Sequence, residues 1–463
     1  MEKARLKNST LFFYGLADFP VMLAVMPMML YLNKFYATDV GISLIDLANI
    51  LLFARIFDLI TDPLVGYLSD HTRTRWGRRK PWVVASLPFL MLGIYKVYLP
   101  PDGADIWYLV TWLMVMWLGW TMLMIPYYAW GAELSTDYDE RTRVTGWRAA
   151  LGSFGSLLSI TIPAVAVLWF NVDGIAGIMN LTGIAVVILI PIAITLTVLN
   201  VEDKPHTKAA SLQAFDGLKI MLKNGSFRWL VIAFMLSSMG LAVLMPMNAF
   251  FVASVLQEPE SSIPILMFFT SMIALLSIPM WVAISKRIGK HRAWISGLLV
   301  VSILSPAFIF LGPGDFPLMV PFALVSALGV GAFQTLPNSM KADVIDIDTA
   351  RTGENRAAMF FSAWSLATKF AGSLGGSLGL WALHFVGFDP ANGAVNSPEA
   401  IMGLKFTYAL LPTSIFIIAG LIIWNYPLTR ERQQRIRDAI DRRDARRQSS
   451  AEAATAAATY TPD

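Results

Sequence analysis

The chain of 463 residues has no cysteine, four histidines and only 15% charged residues. Without cysteine it forms no disulfide and offers no thiolate nucleophile or metal ligand. The histidines, at 71, 206, 291 and 384, are scattered and make no HExxH pair. Neither a GxSxG nucleophile elbow nor a phosphate-binding P-loop occurs, so no hydrolase or ATP-driven pump is expected. So few charges also argue against a soluble enzyme, because a chain of this length would need a much more polar surface. Apolar residues are abundant instead, at 56% of the chain, with a mean hydropathy of +0.57.

Apolar runs of roughly 20 residues, enough to cross a bilayer as helix, recur along the whole length. Twelve candidate spans fall near 10–33, 45–69, 82–99, 106–132, 146–169, 176–199, 228–256, 262–284, 293–311, 317–341, 357–386 and 403–426. The runs are continuously apolar rather than alternating, which predicts helices and not a membrane barrel. The reading is therefore an all-α integral membrane protein.

Charge placement gives an orientation. Of 36 Lys and Arg, only Lys34, Lys96 and Lys405 fall in or near the odd-numbered loops. The even-numbered loops hold clusters, Arg73 to Lys80 and Lys286 to Arg292. By the positive-inside rule these loops and both termini face the cytoplasm, in a cytoplasmic (inner) membrane. The polar stretch 201–227 separates an amino-terminal six-span half (1–200) from a carboxy-terminal one (228–428). The basic tail 429–463 reads as cytoplasmic helix fraying into disorder, resting on lipid headgroups rather than nucleic acid. GYLSDHTRTRWGRRKPW (66–82) and WVAISKRIGKHRAW (281–294) form a weak repeat after spans two and eight. Repeated halves suit a transporter with a pseudo-twofold axis along the membrane normal.

One span breaks the apolar rule. In FARIFDLITDPLVGYLSD (53–70), Arg55, Asp58 and Asp62 are spaced i, i+3, i+7 and share one helical stripe. A charge at the bilayer centre costs at least ~2.5–3.5 kcal/mol, so the stripe must face protein or a watery cavity. Arg55 neutralises one carboxylate as an internal ion pair. The second is left over, and mutual repulsion favours its taking up a proton or a cation. Arg148 and Lys369 are lone cations in otherwise apolar spans, and each needs a partner across the cavity.

Four blocks carry a family resemblance: YGLADF with FYATDVGIS (14–43), RIFDLITDPLVGYLSDHTRTRWGRRKPW (55–82), IPYYAWGAELSTDYDERTRVTGWR (125–148) and ADVIDIDTARTGENRAAMFFSAWSLATKF (342–370). In this order they resemble the glycoside–pentoside–hexuronide:cation symporters of the major facilitator superfamily. The resemblance implies twelve helices in two six-helix bundles around a central cavity, alternating access, a small-molecule substrate, a monomer and no cofactor beyond a coupling ion. It also implies that Asp58 and Asp62 bind the coupling cation, with Thr61 and Thr121 lining the site. Arg148 and Lys369 match family positions on helices five and eleven, as counter-ions or substrate ligands.

Departures from the family pattern shift the expectation. The family's representative sugar permease carries an aspartate just before the Ile-Pro of helix four, where this chain has Met124, and a sugar-binding aspartate that aligns at Met22 or Leu23. Sodium needs several oxygens, whereas a proton needs one carboxylate, so the loss at 124 favours proton coupling with sodium as the alternative. A cavity with Met22, Trp120, Met124, Tyr127, Tyr128 and Trp364 nearby suits a sugar or aryl glycoside. It also suits an amphipathic solute, a class that some animal relatives carry. Arg73, Arg75 and Arg141 on one half, with Asp343, Asp346 and Arg356 on the other, form a candidate gate on the inner face; solvated surface pairs are the plainer reading.

Overall fold

The computed structural model describes residues 5–135, 138–170, 172, 174–203, 224–352, 357–391 and 394–427. Most of the expected linker, 204–223, and the tail beyond 427 lie outside the described residues. In chain order the helices are α1 (Asn8–Leu16), α2 (Asp18–Thr38), α3 (Leu44–His71), α4 (Lys80–Tyr98), α5 (Ile106–Glu133), α6 (Tyr138–Phe170), α7 (Gly174–Asn200), α8 (Gly225–Phe250), α9 (Ser262–Ile288), α10 (Lys290–Leu304), α11 (Phe316–Thr352), α12 (Ala357–Phe385) and α13 (Pro398–Trp424). Only Ala17 separates α1 from α2, so the two make one crossing.

Local chemistry explains the starts. Ser43, Asp105, Asn224 and Ser397 each accept a backbone N–H from the first turn of α3, α5, α8 and α13. Prolines sit inside most of these helices, as at Pro63 in α3 and Pro126 in α5, a feature neighbouring helices tolerate in membranes. Gly289, at φ +91°, is the hinge between α9 and α10 that a side chain would strain.

Among the described residues, ten stretches are long and apolar enough to cross a membrane. The expected α3 and α12 crossings are equally long, at 28 and 29 residues, but fall outside those ten. They are the two that carry Arg55, Asp58, Asp62 and Lys369. Along α3, Ile56, Leu59 and Ile60 are at least half exposed while Asp58 is buried. The apolar side thus faces outward to lipid and the charges turn inward, as a 3.6-residue period requires.

Helices α1–α7 pack chiefly on one another, as do α8–α13, and the halves meet through α2 on α8, α6 on α9 and α3 on α12. This is the two-bundle arrangement. Chain direction puts the loop after α3 and the loop between α9 and α10 on one side, termed the basic-loop face. The buried apolar core is not symmetric about it. One cluster runs continuously from the first half into the second toward the opposite face, through Met247, Phe251, Leu380 and Tyr408. A separate cluster around Phe227, Trp294 and Trp364 fills the basic-loop end of the second half alone. The halves are therefore sealed together at the opposite face.

Candidate functional site: a charged seam between the halves

The seam is the α3–α12 contact, and its polar rungs run antiparallel. The Trp381 indole donates to Asn49, the Ser377 hydroxyl to the Ala48 carbonyl, the Arg55 guanidinium to Ser373, and the Lys369 ammonium to Asp62. Ser373 and Lys369 lie one turn apart on α12, as Asp58 and Asp62 do on α3. Both stripes thus project at each other.

Arg55 closes on Asp58 at 2.6 Å and lies 4.6 Å over the Trp117 ring. The internal pair expected from spacing is present. Asp58 keeps one buried oxygen, Oδ1, with no hydrogen-bond partner among the described residues. Asp62 is not left over. Its Oδ2 accepts from Lys369 at 2.5 Å and its Oδ1 from the Thr121 hydroxyl at 2.9 Å. With 27% and 32% of their side chains exposed, Asp62 and Lys369 are the open rung, while Asp58 at 5% is the closed one. Thr61 is buried and donates to the Phe57 carbonyl of its own helix, keeping oxygen lone pairs free.

A second charged cluster lies on α2 and α6. Arg148 reaches Asp18 at 3.5 Å and stacks 4.4 Å over Tyr128. A Cβ at Gly152, one turn beyond Arg148, would meet Asp18 Oδ2 at 2.5 Å and Met22 at 3.4 Å. Glycine there makes room for the carboxylate, with Met22 beside it. Asp18 Oδ1 has no partner among the described residues, and the Arg148 side chain is a quarter exposed. Asp18 was not among the expected site residues. Its signal was a lone carboxylate in an apolar span, the same signal that marked Arg148.

Several expected cavity residues are placed elsewhere. Tyr127 is fully buried, stacks on Tyr14 and donates to the Tyr14 carbonyl, while Tyr14 returns a bond to the Tyr127 carbonyl. Neighbouring positions on a helix point about 100° apart, so Tyr128 is turned outward under Arg148 while Tyr127 is turned into the core. Met124 is buried in the apolar core. Trp364 is buried against Phe234 with the Lys341 ammonium 4.7 Å from its ring. Trp120 packs on the core and touches Trp117 edge-on. Trp117, four residues before Thr121, is the α5 indole that covers the charged stripe.

The expected gate is only partly in view. Arg73 and Arg75 are exposed, and Asp343 accepts from Lys290 of its own half at 2.6 Å. The side chains of Arg141 and Asp346, and Arg356 altogether, lie outside the described residues. An ion pair between halves is found instead on the opposite face, where buried Lys34 of α2 meets Glu260. The other oxygen of Glu260 accepts the Ile175 N–H at 3.0 Å, at the start of α7. One carboxylate from the second half thus ties two helices of the first, helped by the α7 dipole.

The basic loop after α3 is built around Arg79. Burial works against its charge, but hydrogen bonds to Glu133 and Asp70, at 2.7 and 2.6 Å, more than offset it and raise the pKa of the guanidinium. Asp203 accepts the Arg79 and Lys80 N–H groups, and Gly77, at φ +106°, leaves space for that carboxylate.

Known proteins agree with this architecture. Residues 13–430 match the model of the MFS/sugar transport protein family. A relative from Escherichia coli (strain K12), provisionally named glycoside/cation symporter YagG, is 27% identical over 460 residues, covering 96% of this chain and 97% of its own. Sodium-dependent lysophosphatidylcholine symporter 1-B of Danio rerio is 26% identical over 472 residues, covering 93% and 89%. Among solved structures, a mutant of the nucleoside transporter NupG superposes with a TM-score of 0.67 at 11% identity, covering 90% of this chain and 99% of its own. That likeness concerns the fold alone. With a family match across nine-tenths of its length, ten stretches among the described residues long and apolar enough to cross a membrane, and a charged seam between two helical halves, the chain belongs to the MFS/sugar transport protein family, whose members are membrane transporters and not enzymes.

Proposed function

We propose that the protein is a secondary active symporter of a sugar, glycoside or related small organic solute, driven by protons. The observation that carries this is Asp62, held at once by Thr121 and by Lys369 of the other half. A proton on Asp62 removes the charge that binds Lys369 and frees the α3–α12 seam to part. A solute that engages the released ammonium then favours the rearranged state, which couples the two cargoes. The halves 1–200 and 228–428 move as bodies about the linker, with the basic-loop face in the cytoplasm. Sodium is the second reading, supported by the relative named as sodium-dependent and by the spare oxygens of Asp58 and Thr61. An amphipathic solute is the second reading for substrate on the same ground. Uptake into proteoliposomes under imposed pH or sodium gradients, over glycosides, uronides and amphiphiles, tests the proposal. An inward proton gradient should concentrate at least one solute; equilibration without accumulation under both gradients would show an uncoupled facilitator.

In this reading the Lys34–Glu260 contact latches the outer side shut. Glu260→Gln weakens both arms of the latch, and charge-assisted bonds of this kind contribute ~1.5–3 kcal/mol. A Ser254→Cys reporter in the adjacent vestibule, clean because the chain has no cysteine of its own, should label about tenfold faster in the Glu260→Gln background. Unchanged labelling would remove Glu260 as a latch.

A further inference from the structure

A pocket of about 510 Å³, large enough for a phospholipid headgroup, lies on the basic-loop face between the loop after α3 and the end of α7. Two side chains of each sign line it: Arg75 and Lys80, Glu202 and Asp203. Asp203 is already engaged, because its Oδ2 accepts the Arg79 and Lys80 N–H groups. The Lys80 ammonium rests 5.8 Å from the Trp130 ring. Arg75 and Glu202 are exposed. Among the described residues their charged groups make no hydrogen bond or ion pair, with each other or with a third group, although they share the pocket. A cation and an anion that line one pocket without meeting leave complementary ends for a ligand bearing both charges.

The surroundings are those of a bilayer surface. Trp76 lines the same pocket and is 65% exposed, and tryptophan favours the headgroup level of a membrane. Leu199, also in the wall, ends a stripe of outward-facing Ile184, Ile188, Ile192 and Leu196 on α7. Spacings of four and three residues keep the stripe on one side of the helix. It runs about 22 Å at 1.5 Å per residue, longer than one leaflet's ~15 Å. The pocket therefore stands where a lipid headgroup lies when its acyl chains follow α7.

We propose that this pocket holds the headgroup of an ethanolamine phospholipid from the leaflet on the basic-loop face, its phosphate on Arg75 and Lys80 and its ammonium on Glu202. A primary ammonium donates charge-assisted hydrogen bonds to the carboxylate. A choline headgroup has no N–H to donate, and a glycerol headgroup brings no positive charge. Occupancy by this lipid depends neither on the transported solute nor on the coupling ion.

The test is native mass spectrometry of the purified full-length protein in detergent, titrated with dioleoyl phosphatidylethanolamine, phosphatidylcholine or phosphatidylglycerol. The first ethanolamine lipid should bind about tenfold more tightly than either of the others, the gain from one charge-assisted hydrogen bond. Arg75→Gln should weaken ethanolamine and choline lipids alike, about fivefold. Glu202→Gln should erase only the preference for ethanolamine over choline. Thermal midpoints in lipid-free detergent report folding of both variants, and exposed positions such as these change stability little. O-Phosphoethanolamine, which lacks acyl chains, should displace the lipid only at millimolar concentration. Equal affinities for the three lipids, a preference for phosphatidylglycerol, or an ethanolamine preference that survives Glu202→Gln would overturn the site. Displacement by micromolar O-phosphoethanolamine would overturn it too, since the pocket would then belong to a soluble phosphate ester.

Discussion

The Asp62→Asn protein should carry its solute down a gradient and exchange it across the membrane, yet fail to concentrate it. Asparagine has the same shape and keeps an oxygen for the Thr121 hydroxyl, now 2.9 Å from the carboxylate. It cannot take a proton, and it offers Lys369 no charge. The open rung of the seam is then permanently in its released state, and ion entry no longer decides when the halves part. With an inward ion gradient of about a hundredfold, a one-for-one symporter accumulates up to about a hundredfold, and the variant should fall to unity. Solute counterflow, which needs no ion gradient, should persist. Full accumulation by Asp62→Asn would refute its role, and loss of counterflow as well would assign Asp62 to solute binding instead.

Arg55→Met should be among the most destabilising single substitutions in the chain. Only 5% of the Asp58 side chain is exposed, and its Oδ1 already lacks a partner. Removing the guanidinium strands a buried carboxylate, which costs ~3–5 kcal/mol in comparable pairs. The double variant Arg55→Met/Asp58→Leu replaces the pair by apolar groups and should regain most of the loss, because desolvation of two ions offsets much of their attraction. Thermal midpoints of purified proteins check the order: the single variant far below wild type, the double close to it. A single variant as stable as wild type would contradict the buried pair. Uphill transport by the double variant then separates roles. If Asp58 supplies its spare oxygen to the coupling ion, the restored fold still cannot accumulate solute; accumulation at wild-type levels would make the pair structural only.

The site was readable in sequence where a single helix determines it. Three charges at i, i+3 and i+7 share a stripe whatever the tertiary fold, and a lone lysine in an apolar span requires a partner. What joins helices was not readable. Asp18 and Arg148 are 130 positions apart, and their pairing depends on how closely α2 approaches α6 at Gly152. Tyr127 and Tyr128 look equivalent as letters, but the rotation of α5 buries one against Tyr14 and turns the other over Arg148. The same rotation moves the relevant indole from Trp120 to Trp117. The Lys34 that stood out as an isolated cation on the less basic side proves to be half of an inter-bundle contact. Its partner Glu260, in a short loop more than two hundred residues away, had no periodicity to betray it. Apolarity alone would have dropped α3 and α12 from the spans, because charges that face each other across a seam carry little of the lipid penalty that hydropathy assigns them.

Symport through the seam requires that ion movement and solute movement be obligatorily linked. The most direct test is the condition of zero net flux in proteoliposomes at zero membrane potential, with an outward solute gradient opposed by an inward proton gradient. Linked one-for-one, an about tenfold solute gradient is held static by an about tenfold proton gradient, and a steeper proton gradient reverses the flux. A flux that vanishes only when solute concentrations are equal on both sides, whatever proton or sodium gradient is imposed, would contradict symport through the Asp62–Lys369 seam.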